Sequence, residues 1–304
     1  MYFVRRILFA IPLLLVISAI AFALVHLAPG GPFDTERKPA SPEIERNLKA
    51  KYHLDEPVWQ QYLRYMNDLL HGDFGSSLKY RNHSVNDIIR EGLPVSMLLG
   101  GLAFAYAMVV GVGAGFWMAA NRGRWPDHLG SWLSALAVCL PSFVVAPVLI
   151  LGFGLKLKWF PLALWTSPWH MVLPPLALGT YFAGRVARIM REGMLAAAQS
   201  EFVTAARAKG LGEAQLLYKH ALRLALLPVV SYAGPMLADL LVGSFIIENI
   251  FQIPGIGVFL VNSSLNRDYT MVMGLSLLYA VLVVGLNLAV DYIYKLLDPR
   301  VKYE

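Results

Sequence analysis

An all-α, multi-pass membrane protein with six transmembrane helices is the architecture that three features of the sequence predict. The chain has 304 residues, of which 57% are apolar and only 15% charged, whereas a soluble domain carries about 25% charge. The charges are clumped, leaving apolar runs of about 20 residues or more, the length a helix needs to cross a bilayer. Lys and Arg are also spread unevenly over the segments between those runs.

In chain order, Met1 to Arg6 is short and basic. Ile7 to Ala28 is one apolar run, longer than a signal-peptide core of about 7–15 residues. No convincing small-x-small cleavage site follows it. Residues 1–28 therefore read as a cytoplasmic N-terminus and an uncleaved first span. Residues 29–92 form a polar insert with nine Lys/Arg and ten Asp/Glu, nearly neutral, and read as a small extracytoplasmic helical cap. Inside it, Ser41-Pro42-Glu43 starts a helix by supplying an N-cap, a first-turn proline and an acid. Ile44, Leu48 and Tyr52 share one face of that helix. A second helix starts near Pro57, carries Trp59, Tyr62, Leu63, Met66 and Leu70 as a stripe, and stops at Gly72.

Residues 93–294 read as one transmembrane domain. The second span is 93–119, and its glycines at 100, 101, 111, 113 and 115 permit close helix approach in lipid. The third is 129–155, interrupted by Pro141 and Pro147 as hinges or kinks. A short outer loop rich in Trp and Pro follows. The fourth span is 171–190, its last part from Gly184 leaving the bilayer. A basic loop, 191–223, precedes the fifth span, 224–247. Residues 250–270 are an outer loop, 271–294 the sixth span, and 295–304 a cytoplasmic tail.

Orientation follows from the excess of Lys and Arg that membrane proteins keep on the cytoplasmic side. With both termini cytoplasmic, the inner segments hold 14 Lys/Arg and the two short outer loops three, Lys156, Lys158 and Arg267. The net charge of +6 is thus accounted for by membrane lipid and cytoplasmic partners, without nucleic acid.

Several chemistries find no support. There is no G-x-x-x-x-G-K-[ST] phosphate loop and no H-E-x-x-H. G-x-S-x-G is also missing. The seven histidines are scattered, and the single cysteine, Cys139, lies in an apolar run and reads as a buried, inert thiol. The sequence therefore gives no enzymatic site, no metal site and no bound cofactor.

The largest cytoplasmic feature is Thr204 to Pro228, reading TAARAKGLGEAQLLYKHALRLALLP. Ala196 to Lys209 is Ala-rich and reads as helix. Gly210 and Gly212 interrupt it, and Glu213 to Arg223 resumes, with Leu216, Leu217 and His220 along one side. Small residues at 205, 206 and 208 suit a helix seated deep in a partner's groove, and Arg207 and Lys209 supply charge. The residues alone leave a second reading open, an amphipathic helix lying on anionic lipid.

This stretch resembles the EAA loop of the inner-membrane permeases of bacterial ABC importers, E-A-A-x-x-x-G with I-x-L-P beyond. Thr204-Ala205-Ala206-Arg207-Ala208-Lys209-Gly210 matches with Thr for Glu, while His220 and Arg223 stand where the general pattern has Ile and Pro. AARAKGL followed by HALRLALLPV is close to the form of the peptide-importer branch. Leu27-Ala28-Pro29-Gly30, His71-Gly72-Asp73-Phe74-Gly75-Ser76-Ser77, Glu248 to Gly257 read as E-x-I-F-x-x-P-G-x-G, Arg267-Asp268-Tyr269 and Asp298 to Tyr303 match that branch in order. Ala28-Pro29-Gly30-Gly31-Pro32-Phe33 and the short third loop favour its oligopeptide members.

The resemblance implies a type I ABC importer transmembrane domain in a bacterial inner membrane. Its expected partners are a second homologous permease, two cytoplasmic ATPase subunits that carry ATP and Mg, and a periplasmic or lipid-anchored peptide-binding protein. Thr204, Ala205, Ala206, Arg207, Ala208, Lys209, Gly210 and Leu211 are then the ATPase-coupling loop. Glu248, Phe251, Pro254, Gly255 and Gly257 are the outer gate motif, with a tight turn at Pro254-Gly255. Asp239, deep in the fifth span, is the candidate for the translocation path, with a structural pair or hydrogen bond to a neighbouring helix as the simpler expectation. Asp291, near the inner end of the sixth span, reaches the interface. Dipeptide, nickel or glutathione import are the alternatives within the class. A secondary transporter is the alternative outside it, and it would need more intramembrane ionisable groups than the sequence offers.

Overall fold

The computed structural model of the chain describes residues 2–27, 55–80, 83–242 and 244–297. The expected helix after Ser41, the motif residues 28–33 and the C-terminal motif from Asp298 lie outside them. The described residues are helical, and the β pairing among them is an isolated bridge between Ser76 and Ser84.

Two units can be distinguished. The first holds α1 (Tyr2–Leu27), α2 (Val58–Leu70), the start of α3 (Val85–Ala120), α10 (Ile256–Asn266) and most of α11 (Tyr269–Leu297). Val85, Ile88, Ile256, Met271 and Leu275 form its centre, with Phe74 against them. Phe22, Met273 and Leu277 form a second cluster, on which Tyr62, Tyr65 and Leu69 of α2 lie. Tyr62 shares a hydrogen bond with Ser18 at 2.8 Å, so α2 is tied to α1 by polar as well as apolar contact. The stripe expected on α2 is therefore displaced: Tyr62, Tyr65, Met66 and Leu69 face inward, and Trp59, Leu63 and Leu70 are exposed. The helix ends before Gly72, whose φ of +79° stops it.

The second unit holds the rest of α3, α4 (Trp125–Cys139), α5 (Ser142–Leu149), α6 (Leu173–Ala198), α7 (Glu201–Ala208), α8 (Leu222–Val242) and α9 (Phe245–Phe251). Here α6 is central, and its Leu178, Phe182, Val186 and Met190 are buried. Glycine allows α3 and α6 to touch. A Cβ on Gly111 would lie 2.6 Å from Val186, and one on Gly115 would run into the Ala187 carbonyl. Gly184 of α6 meets Ser134 O of α4 at 2.8 Å by the same measure. Gly101 and Gly113 face open space, so only part of the glycine series serves packing.

Three departures from the sequence reading concern the spans. The third is not one helix, because α4 and the run from Ser142 to Lys156 meet at 108°. Pro141 lies at that break and Leu140 before it is extended, as the residue before proline prefers, whereas Pro147 sits inside α5. The fifth ends earlier, and a separate helix, α9, carries Phe245 to Phe251. The outer loop 250–270 contains the helix α10. By length and composition four helices can cross a membrane, or six if each bent pair counts as one span. The expected fourth span, α6, is not among the four, since Arg185, Arg188 and Arg191 punctuate its second half. Cys139 is exposed rather than buried.

Gly115→Leu is expected to lower the unfolding midpoint of the detergent-solubilised protein, since overpacking such a contact costs about 1–3 kcal/mol. Gly113→Leu, facing open space, leaves the midpoint nearly unchanged.

Candidate functional site: the 200–221 loop and its supports

Ser200 separates α6 from the loop. Its hydroxyl donates to Ala197 O at 2.7 Å and accepts from Val203 N at 3.5 Å, ending one helix and capping the next. The helix expected from Ala196 to Lys209 is thus broken at Gln199–Ser200. Ser followed by Glu201 was the readable signal for this.

On α7, Val203 and Ala206 point inward against Leu216, with Leu211 beside them. Thr204, Ala205, Arg207, Ala208, Lys209 and Gly210 are exposed. Of the three small residues expected to face a partner, Ala206 therefore serves the loop's own core, and Ala205 and Ala208 remain outward. Gly210 takes φ +84°, and a Cβ there would meet nothing within 4 Å, so the requirement is one of backbone conformation. Gly212 is ordinary, at φ −65°, and starts the short helical turn Glu213–Gln215. A π turn, Leu216–Ala221, then leads directly into α8.

Across the bend, Arg207 Nε donates to Glu213 Oε1 at 2.7 Å and its second nitrogen to Oε2 at 3.3 Å. Arg207 is thus engaged within the loop, leaving Lys209 as the outward charge. The Arg207 hydrogen bond holds the Glu213 carboxyl below its ordinary value. Its contribution is present above that ordinary value and is lost as pH falls through the lowered one. Both side chains are exposed, so the pair orders the bend more than it stabilises the fold. Phe202, 62% exposed, lies edge-on to His220 at 5.3 Å.

Ahead of the loop, α6 is joined to α4 by an ion pair that the sequence pattern does not reveal. Arg191 of α6 donates to Asp127 of α4 at 2.6 and 2.9 Å, and Gly123 N adds a third donor at 3.0 Å. Asp127 is only 3% exposed. The signal was available in the spacing of single charges around a short loop, but spacing does not reveal which charges meet.

At the outer motif, Glu248 is fully buried and accepts from Ser96 Oγ and Ser244 Oγ, each at 2.7 Å. Phe251 is buried, and its carbonyl accepts from Leu164 N at 2.8 Å. The sharp turn is made by Gln252, in the left-handed region at φ +53°, rather than by Gly255 or Gly257. Gly255 and Gly257 are buried and Pro254 exposed. In the first unit, Gly255 lies where a Cβ on Gly92 would come within 3.2 Å of its backbone.

Asp268, also fully buried, was noticed in the sequence only as part of a pattern. It accepts from the Ser77 hydroxyl, from Leu78 N at 3.2 Å and Lys79 N at 3.3 Å, and from Met271 N at 3.2 Å in the first turn of α11. It fastens the His71–Ser77 segment to the start of the last helix.

Asp239 is exposed on α8 and has neither hydrogen bond nor ion pair among the described residues. The nearest counterpart of the expected structural pair is its electrostatic pull on Arg185 of the neighbouring helix α6. No group of three or more His, Cys, Asp or Glu able to hold a metal occurs among the described residues.

Gly210→Ala is expected to destabilise the loop by about 1 kcal/mol, the strain of a side chain at left-handed φ. Gly212→Ala is expected to be close to neutral. Amide exchange over residues 203–216 distinguishes the two.

Residues 111–303 match the family described as binding-protein-dependent transport system inner membrane component, and residues 1–99 match the N-terminal membrane component of such systems. The oligopeptide transport system permease protein OppB of Haemophilus influenzae is 44% identical over 98% of both chains. OppB of Escherichia coli K12 is 42% identical over 99% of both. The dipeptide transport system permease protein DppB of Bacillus subtilis is 40% identical over 99% of this chain and 97% of its own. Among solved structures, a chain of the MetNI methionine ABC transporter aligns with a TM-score of 0.59 at 18% identity, over 69% of this chain and 96% of that one. That likeness shows the fold. With matches that run from end to end, the chain belongs to the inner-membrane components of binding-protein-dependent transport systems.

Proposed function

We propose that the chain is a permease subunit of an ATP-driven oligopeptide importer. With a homologous second permease it forms the path across the cytoplasmic membrane, both termini lying on the cytoplasmic side. The observation that carries this is full-length identity above 40% to permeases named for oligopeptide transport. Dipeptide import is the second reading, favoured by the 40% identity to a dipeptide permease.

In this reading two cytoplasmic ATPase subunits bind ATP and Mg, and a periplasmic or lipid-anchored binding protein delivers the peptide. The outward face of α7, with Thr204, Ala205, Ala208 and Lys209, seats in the ATPase. Arg207, Gly210 and Leu211 fix the bend behind it, and Ala206 anchors α7 to Leu216. Leu216 opens the π turn that continues as α8, so a pull on α7 is passed to a membrane helix without a slack connection. Closure of the ATPase pair on ATP then shifts the helices between two arrangements. Glu248, Phe251, Pro254, Gly255 and Gly257 act as outer gate architecture, with Glu248 locking α9 to α3 through Ser96.

The detergent-solubilised protein is expected to co-purify with a second permease and two ATPase chains. Its recovery as a lone active transporter overturns the proposal. Ala205→Trp and Ala208→Trp, both on the outward face, are expected to lower ATP-dependent peptide uptake at least tenfold while peptide capture by the binding protein is unchanged. Wild-type uptake in both variants removes α7 from the coupling role.

A further inference from the structure

The exposed face shared by α6 and α8 carries groups that lipid does not tolerate. Arg185, exposed on α6, receives help from two tyrosines: it donates to Tyr181 OH at 3.1 Å and lies over the Tyr232 ring at 5.1 Å. Asp239 stands seven residues beyond Tyr232 on α8, the same side of the helix two turns away. Its carboxylate is close enough to act electrostatically on both Arg185 and Tyr232. The run Leu216–Leu241 is apolar enough to cross a membrane. A carboxylate on the open face of that run, with the Arg185 guanidinium of α6 beside it, must therefore meet water, a ligand or protein, not hydrocarbon.

We infer that Tyr181, Arg185, Tyr232 and Asp239 are this chain's contact with the peptide in transit, Arg185 meeting the carboxylate terminus and Asp239 the ammonium terminus. This rests on the peptide-import reading above. The chemistry fits an extended zwitterion. A guanidinium suits a carboxylate through paired donors, an unengaged carboxylate suits an ammonium, and the tyrosines between them offer hydroxyls and ring faces. The spacing fits as well. Seven helical residues rise about 10 Å, and an extended peptide advances about 3.3–3.6 Å per residue, so the backbone positions of Tyr232, whose ring lies under the guanidinium, and Asp239 are about three peptide residues apart.

The test uses the complete importer in proteoliposomes, with uptake of radiolabelled trialanine, N-acetyl-trialanine and trialanine amide read relative to wild type for each peptide. R185Q is expected to lower trialanine uptake about tenfold and amide uptake less than twofold. D239N is expected to lower trialanine uptake similarly and leave the N-acetyl form nearly unaffected. R185K, which keeps the charge, restores most trialanine uptake. Should R185Q fail to assemble with the other subunits, Y232L serves in its place and is expected to reduce trialanine uptake about threefold. Variants that import all three peptides at wild-type rates overturn the assignment, as do variants that lose all three in proportion. A wild-type complex that imports none of the peptides overturns the peptide-import reading and this assignment with it.

Discussion

A carboxylate held away from water must be given donors, and three carboxylates in this chain set where its parts join. Asp268 gathers a hydroxyl and three backbone N–H groups from two distant stretches. Glu248 takes two serine hydroxyls, one from α3 and one from the residue that precedes its own helix. Asp127 takes a guanidinium and a backbone N–H. Leaving a charge buried in protein without its partner costs about 3–5 kcal/mol, so each pairing is compulsory. Apolar side chains slide past one another with little loss when both neighbours are hydrocarbon. A carboxylate with fixed donors does not slide, and these three set register in a protein whose apolar contacts leave it loose.

The same constraint explains the contrast between α6 and the other helices. Its N-terminal half packs by close backbone approach, through Gly179 and Gly184. From Arg185 onward it carries arginines, and these are sorted by location. Arg191 is consumed by Asp127 and joins α6 to α4, whereas Arg185 is left on an open face beside two tyrosines. One helix thus contributes a charge locked in a buried ion pair and one held by aromatic rings on an open face, six residues apart.

The sequence made the helical, membrane-spanning class plain, because composition and clumped charge report the solvent directly. It made the 204–211 loop plain too, since glycines, Ala-rich helix and basic residues are local signals. Ser200 and Pro141 were readable as a cap and a break, yet the apolar runs around them suggested longer helices. What was not readable was pairing at a distance. Ser77 lies 191 residues from Asp268 and Ser96 152 from Glu248, and no periodicity links them. The left-handed turn at Gln252 was hidden for a different reason. Nearby Pro254 and Gly255 advertise a turn more loudly than the residue that makes it, which is held by its neighbours' hydrogen bonds rather than by its own preference.

The α7 segment is closed at both ends by its own residues, Ser200 at one and Gly210 at the other, and is fastened by Val203 and Ala206 against Leu216, by Phe202 against His220 and by Arg207 on Glu213. A short helix built in this way behaves as a cartridge. Its outward residues can change through evolution, or by grafting from another permease, while Val203, Ala206 and Leu216 keep the membrane part unaware of the exchange. On the reading proposed above, choice of motor and choice of cargo are in that sense written on separate surfaces of one chain, and each can drift without retuning the other.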